Sequence, residues 1–257
     1  MLLKEMKADR LSVYVYDSRE NMGKRVAEDF ADYVKGLLKT KDTVNIIFAA
    51  APSQNDFLGY LKKIKDIRWD RINVFHMDEY IGIGIESEQS FARFVKEHVA
   101  DVFNVKEFFA LNGKAENIDA ECERYSKLLR ENKPDVVCLG IGENGHIAFN
   151  DPWVADFWDG KEVKKVKLDE VCRNQQVNDK CFPDIDSVPK CAMTLTVPAL
   201  MRANAMFCTV PAATKANAVK DAVLGRIGED CPATAMRIHK NAALYCDKDS
   251  GKYLLRN

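Results

Sequence analysis

Apolar residues in this chain recur in two rhythms. Short dense runs at residues 11–16, 44–50, 72–77, 136–139, 205–210 and 242–246 read as buried strands. Between them the spacing turns helical. One helix starts near Ser18, where Asp17 or Ser18 can cap its N–H groups, and another runs through Phe57, Leu58, Leu61 and Ile64. Further helices are expected over 90–102, where Phe91 and Phe94 look like ordinary core packing, and over 120–129 and 213–224. This alternation predicts an α/β protein with a doubly wound, mostly parallel sheet and helices on both faces, Rossmann-like, as a single domain over 1–257. Residues 153–190, rich in charge and turn formers, break the rhythm and are expected to form a lid or insertion. No repeat, low-complexity segment or linker interrupts the rest.

Bulk composition narrows the class. The 257 residues suffice for one large α/β domain. Lys and Arg total 38 against 39 Asp and Glu, well mixed, which argues against a nucleic-acid surface or a polybasic membrane anchor. No apolar run approaches the roughly 20 residues that span a bilayer, and the first ten residues carry too many charges for a signal peptide. The eight cysteines contain no C-x-x-C pair, so neither a zinc site nor a disulfide framework is expected, and a reducing cytoplasm is the expected location.

Candidate chemistry collects just after the strands. In open α/β sheets ligands bind outside the carboxyl ends of the strands. Those ends here carry Ser53 and Gln54, Asp78 and Glu79, and the turn Gly140-Ile-Gly-Glu-Asn-Gly-His-Ile-Ala-Phe-Asn-Asp-Pro152, with Lys215 where a late helix begins. Glycines 140, 142 and 145 satisfy G-x-G-x-x-G, but a dinucleotide site needs a long helix opening at the third glycine, and Asn150-Asp151-Pro152 stops any helix at once. A nucleotide cofactor is therefore not expected. Hydroxyl, amide and backbone N–H groups together with a lysine suit a small anionic substrate such as a phosphate ester. His76, His98 and His239 lack a comparable setting and read as structural, with His76 close enough to Asp78 to support it.

With these residues in view, the chain resembles the glucosamine-6-phosphate deaminase/isomerases, a family that shares its fold with the 6-phosphogluconolactonases. The matching pieces are Phe75-His-Met-Asp-Glu-Tyr-Ile-Gly82, Ile118-Asp-Ala-Glu-Cys122, Gly140 to Pro152, Val188-Pro-Lys-Cys-Ala-Met-Thr194, Thr214-Lys215-Ala216 and Tyr245-Cys-Asp247, in family order. Tyr80 and the sequence after His146 favour the deaminase branch, since the lactonases usually place arginine at the first position. The resemblance implies Asp78 as the base that moves a proton between C2 and C1 of the sugar. It implies His146 as the acceptor of the C1 hydroxyl proton in ring opening, Asp151 as the carboxylate that orients it, and Asn144 beside them. Substrate contacts are implied for Ser53, Gln54, Glu79, Gly142, Gly145, Lys180 and Lys215. Acid–base groups alone carry such a reaction, so no metal or organic cofactor is implied; the partner is a small hexose phosphate, and a homo-oligomer is possible within the family.

Several positions depart from the family pattern. The phosphate loop reads Ala49-Ala-Ala-Pro-Ser-Gln-Asn55 without the usual glycines, leaving Ser53 as its hydroxyl. Lys180 stands where arginine is usual, a point charge in place of a bidentate fork. Asp151 replaces a glutamate one methylene longer, so its contact with His146 is expected to need a backbone shift or a water. Three readings follow: deamination of an amino-hexose phosphate, lactone hydrolysis with His146 activating water, and a sugar-phosphate sensor without turnover.

Overall fold

Strand pairing places the functional loops. A computed structural model of the chain describes residues 1–178 and 180–256. Eight strands form the main sheet in the order β1-β2-β11-β10-β7-β3-β4-β6. These are β1 (Leu2–Ala8), β2 (Leu11–Tyr16), β3 (Val44–Phe48), β4 (Ile72–His76), β6 (Glu107–Phe109), β7 (Val136–Leu139), β10 (Ala205–Val210) and β11 (Ala242–Asp247). The β1/β2 pair is an antiparallel hairpin at one edge; every other neighbouring pair is parallel. The three remaining strands, β5 (Asp78–Tyr80), β8 (Val163–Lys167) and β9 (Cys191–Leu195), make a second, antiparallel sheet in the order β5-β9-β8.

Helices cover both faces of the main sheet, as the alternating pattern predicts. Ile46 and Ile47, adjacent on β3, face opposite cores, because successive strand side chains point to opposite sides. One core takes α1 (Arg19–Leu38), capped by Ser18 through the Asn21 N–H, and α2 (Asn55–Leu61). Its centre is Phe30, with ring centroids 5.4–6.4 Å from Phe48, Phe57, Trp69 and Phe207. Helix α3 (Phe91–Val95) continues through a π-helical turn at Lys96–Ala100 into α4 (Asp101–Phe103), and its Val95 and Val99 join the same core. The opposite core takes α5 (Ile118–Glu131), α7 (Val197–Met201) and α8 (Ala216–Leu224). Helix α6 (Glu170–Asn178) and the small sheet share a third cluster built on Tyr80, Phe149, Cys172 and Phe182.

A buried carboxylate ties the amino ends of the central strands. Asp135 accepts the Asn45 N–H at 3.0 Å, the Asn204 side-chain amide at 3.1 Å and Lys41 Nζ at 2.5 Å. The three central strands β3, β7 and β10 are thereby fixed in register at the edge away from the functional loops. Strand succession then runs outward in both directions from the β3/β7 boundary: β3, β4, β6 one way and β7, β10, β11 the other. That reversal is where ligands bind in open α/β sheets.

Some elements differ from the sequence reading. Helix α2 stops at Leu61, short of Ile64, and residues 213–215 form a 3-10 turn before α8. The stretch 153–190, expected as a lid or insertion, supplies β8 and α6 and packs against the polypeptide around Asp78 through the small sheet.

Candidate active site

The cleft at the β3/β7 boundary, about 680 Å³ including its open mouth, is built from four strand ends. Residues 49–53 follow β3, Met77 and Asp78 follow β4, Gly140, Ile141, Gly142, His146, Ala148 and Phe149 follow β7, and Lys215 follows β10. The loop after β3 is tied directly to β7, since the Ala49 N–H donates to the Cys138 carbonyl at 2.8 Å.

Asp78 lines this cleft and is buried. Burial pushes its carboxyl well above the ordinary carboxylate range, and the neighbouring Glu79 charge pushes it further. Its backbone is pinned from below by His76, whose Nδ1 lies 2.9 Å from the Asp78 carbonyl. His76 Nε2 accepts the Leu111 N–H at 2.9 Å, which fixes the proton on Nδ1, so this buried ring is a neutral donor; burial lowers its pKa to about 4. The supporting role read from its position next to Asp78 therefore has a definite form.

His146 and Asp151 meet without a water. Asp151 Oδ1 lies 2.9 Å from His146 Nδ1, although the angle is too bent for a hydrogen bond and Nδ1 has no other partner among the described residues. The shorter aspartate reaches because residues 147–150 fold tightly: Asn150 Nδ2 donates to the carbonyls of Ile147 at 2.9 Å and Leu195 at 2.8 Å. Burial pushes the Asp151 carboxyl up, but His146, Asn144 and the Asp169 N–H together hold it below its ordinary value. Asn144 is a bridge, its Nδ2 donating to Asp151 at 3.0 Å and Asp169 at 3.2 Å while its Oδ1 accepts the His146 N–H at 3.1 Å. It does not line the cleft.

Two glycines are demanded by this geometry. A Cβ on Gly142 would lie 2.1 Å from the His146 ring, so the imidazole fills the space a side chain would need. Gly145 takes a φ of 87°, a conformation that favours glycine, and a Cβ there would meet Cys231 Sγ at 2.8 Å. Gly142 lines the cleft and Gly145 lies behind it.

The expected substrate contacts divide. Ser53, Gly142 and Lys215 line the cleft, with Lys215 largely buried. Gln54 braces the loop, its amide donating to Ser53 Oγ and the Leu139 carbonyl, both at 3.2 Å. Glu79 faces elsewhere: its carboxylate accepts the N–H groups of Tyr80, Phe91 and Ala92 and the Ser90 hydroxyl, at 2.7–3.2 Å, and so anchors the start of α3. Four donors leave it no capacity to grip a substrate. Lys180 is exposed in a left-handed turn (φ 61°) and does not line the cleft, whereas its neighbour Cys181 does.

Other residues escaped the sequence reading. Gln175 and Gln176 of α6 line the cleft, and so does Phe91, read from its spacing as core; it packs on Tyr80 and Phe149 at 4.8 and 5.6 Å. Thr194 Oγ1 accepts the Phe149 N–H at 3.0 Å and holds the turn in place. Asp247 Oδ2 accepts the Ala212 N–H at 3.0 Å, which supports the positive φ of 81° at Ala212 ahead of Lys215. Thr194 and Asp247 both fall inside matching pieces of the resemblance, but no pattern assigned them these bonds.

Comparison with known proteins decides the family. Residues 17–245 match the model of the glucosamine-6-phosphate isomerases/6-phosphogluconolactonase family. The chain belongs to this family. Among curated relatives, a glucosamine-6-phosphate deaminase of Ligilactobacillus salivarius is 35% identical over 212 residues, covering 81% of this chain and 87% of its own length. One of Bacillus cereus is 30% identical over 225 residues, covering 88% of this chain and 84% of its own. A solved monomeric glucosamine-6-phosphate deaminase superposes with a TM-score of 0.85 at 27% identity, over 98% of this chain and all of that one. A 6-phosphogluconolactonase of Shewanella baltica superposes at 0.75 with 15% identity, over 96% and 99%, and shares the fold. The relatives it matches are enzymes of sugar-phosphate chemistry, and this family member is an enzyme as well. Among the described residues no helix is long and apolar enough to cross a membrane.

Proposed function

We propose that the protein converts glucosamine 6-phosphate and water to fructose 6-phosphate and ammonia. The observation that carries this reading is the shared cleft: the Asp78 carboxyl, the His146–Asp151 pair and Lys215 line or back one cavity beside the 49–53 loop. The curated relatives named as glucosamine-6-phosphate deaminases support the choice of substrate.

In the first step His146 accepts the C1 hydroxyl proton and passes it to the ring oxygen as the C1–O5 bond breaks, which leaves an aldehyde at C1. Asp151 holds the imidazole and stabilises the cation that forms. With Nδ1 turned to Asp151, Nε2 is the nitrogen that meets the substrate. Asp78 then takes the proton from C2 and returns it to C1 while one proton of the protonated amine passes to O1, which leaves a C1 hydroxyl and a protonated imine at C2; water adds there and ammonia departs. An elevated carboxyl pKa makes Asp78 a stronger base than an exposed aspartate, and such tuning toward working pH favours proton transfer. Lys215 and the 49–53 loop bind the phosphate, with lysine acting as a point charge.

The test is ammonia and ketose formation by the purified protein, with glucosamine 6-phosphate and galactosamine 6-phosphate in parallel. Ammonia from the gluco sugar, lost in His146→Ala, is the expected result. Hydrolysis of 6-phosphogluconolactone in place of ammonia release would transfer the protein to the lactonase branch, and binding without turnover of either class would make it a sensor.

A further inference from the structure

We propose that His146, Asp151 and Cys172 form a binding site for a thiophilic divalent cation of the zinc class, and that filling it silences the catalytic histidine. One ligand atom from each of the three residues lies within 4.8 Å of the other two. All three residues are more than nine-tenths buried, with exposures of 8%, 0% and 1%. Among the described residues His146 Nδ1 is a buried polar atom with no hydrogen-bond partner, facing Asp151 at 2.9 Å along a bent path. Buried polar atoms are seldom left this way, and an orphaned ring nitrogen is a metal ligand in waiting.

The donor set is what zinc takes: one imidazole nitrogen, one carboxylate oxygen and one thiolate, at about 2.0–2.3 Å from the metal. Tetrahedral spacing between such ligands is about 3.5 Å, so closing the triangle requires side-chain shifts of roughly 1 Å. A water completes the fourth position, and of the three ligands only His146 also lines the cleft. On binding, the Cys172 thiol releases its proton to solvent, and neutral imidazole offers the Nδ1 lone pair with its own proton on Nε2. A protonated Nε2 cannot accept the sugar C1 hydroxyl proton, and Asp151 no longer supports a cationic ring. That consequence for turnover rests on the proposed deaminase reaction; the binding itself does not. The spacing between residues 146, 151 and 172 matches no familiar metal motif, because Cys172 arrives from α6 after the chain has passed through β8.

Cobalt(II) titration of the whole reduced chain tests the site without turnover. A thiolate-to-cobalt absorption band should appear in the near ultraviolet, saturate at one equivalent and disappear when zinc(II) is added. Cys172→Ser and Cys172→Ala should each lose the band, and Asp151→Asn should weaken cobalt binding at least tenfold, with folding of each variant confirmed by its thermal melt. A native chain with no band, or a band that survives in whichever cysteine variant folds, overturns the proposal. In the ammonia assay, zinc should inhibit the native enzyme at least tenfold more strongly than a folded cysteine variant, each measured against its own metal-free rate. Equal zinc sensitivity would overturn the silencing.

Discussion

Asp151 Oδ1 stands 2.9 Å from His146 Nδ1, and the same carboxylate is held by the Asn144 amide at 3.0 Å. This pairing sets which ring nitrogen faces the substrate. In Asp151→Asn an amide replaces the charge that stabilises the imidazolium, and its N–H group can lock the opposite tautomer. The rate constant kcat should fall by roughly 10²–10⁴-fold with a smaller change in KM, read from steady-state ammonia release.

Gly142 gives a purely geometric test. A methyl group there meets the His146 ring at 2.1 Å and must displace it. A misplacement of about 1 Å in a catalytic group can cost roughly 10²-fold, so Gly142→Ala should lose about that much in kcat while melting near the native temperature. Native-like kcat in this variant would mean the ring position is not critical.

Asp78 couples activity to stability with opposite signs. Burial and Glu79 raise its carboxyl above the unfolded value of 3.8, so the folded state favours the protonated form. Stability is therefore full below the unfolded value and declines as pH rises through the folded value. Asp78→Asn removes that cost: turnover is abolished, and the melting temperature at neutral pH rises by roughly 2–6 °C. The stability gain should shrink toward zero as the pH is lowered to about 4, where the native carboxyl is neutral too. Thermal melts across pH 4–8 check both signs.

The phosphate grip should show in KM. Lys215→Ala removes the buried cation at the cleft, and KM should rise about 10–100-fold with a smaller fall in kcat. Asp247→Ala, which frees the Ala212 N–H ahead of Lys215, should shift KM in the same direction by a smaller factor. Lys180→Ala should leave KM within about twofold, since this side chain lies outside the cleft lining.

The sequence announces the parts of this protein that depend on local rhythm. Strands β3 and β10, five and six residues long, are apolar apart from Asn45 and Thr209, and α1 and α5 carry long amphipathic repeats with capping residues before them. Strands β5 and β6 have three residues each and β8 reads Val-Lys-Lys-Val-Lys, so their state is set by the partner they pair with. At the site, Asp78, His146 and Lys215 are legible because they follow readable strands. Gln175 and Cys172 are not, since α6 must first dock on the small sheet, and the four bonds that occupy Glu79 come mainly from residues 90–92. Charge next to the catalytic position looks like substrate chemistry in the sequence and proves to be an anchor for α3.

Proton transfer between C1 and C2 by Asp78 is the central claim, and deuterium exchange tests it most directly. Fructose 6-phosphate incubated with the enzyme in heavy water, with ammonia supplied, should exchange one of its two C1 hydrogens, followed by proton NMR. Asp78→Asn should show none at equal protein concentration, while still binding the sugar phosphate. Exchange at the native rate in Asp78→Asn would contradict the account.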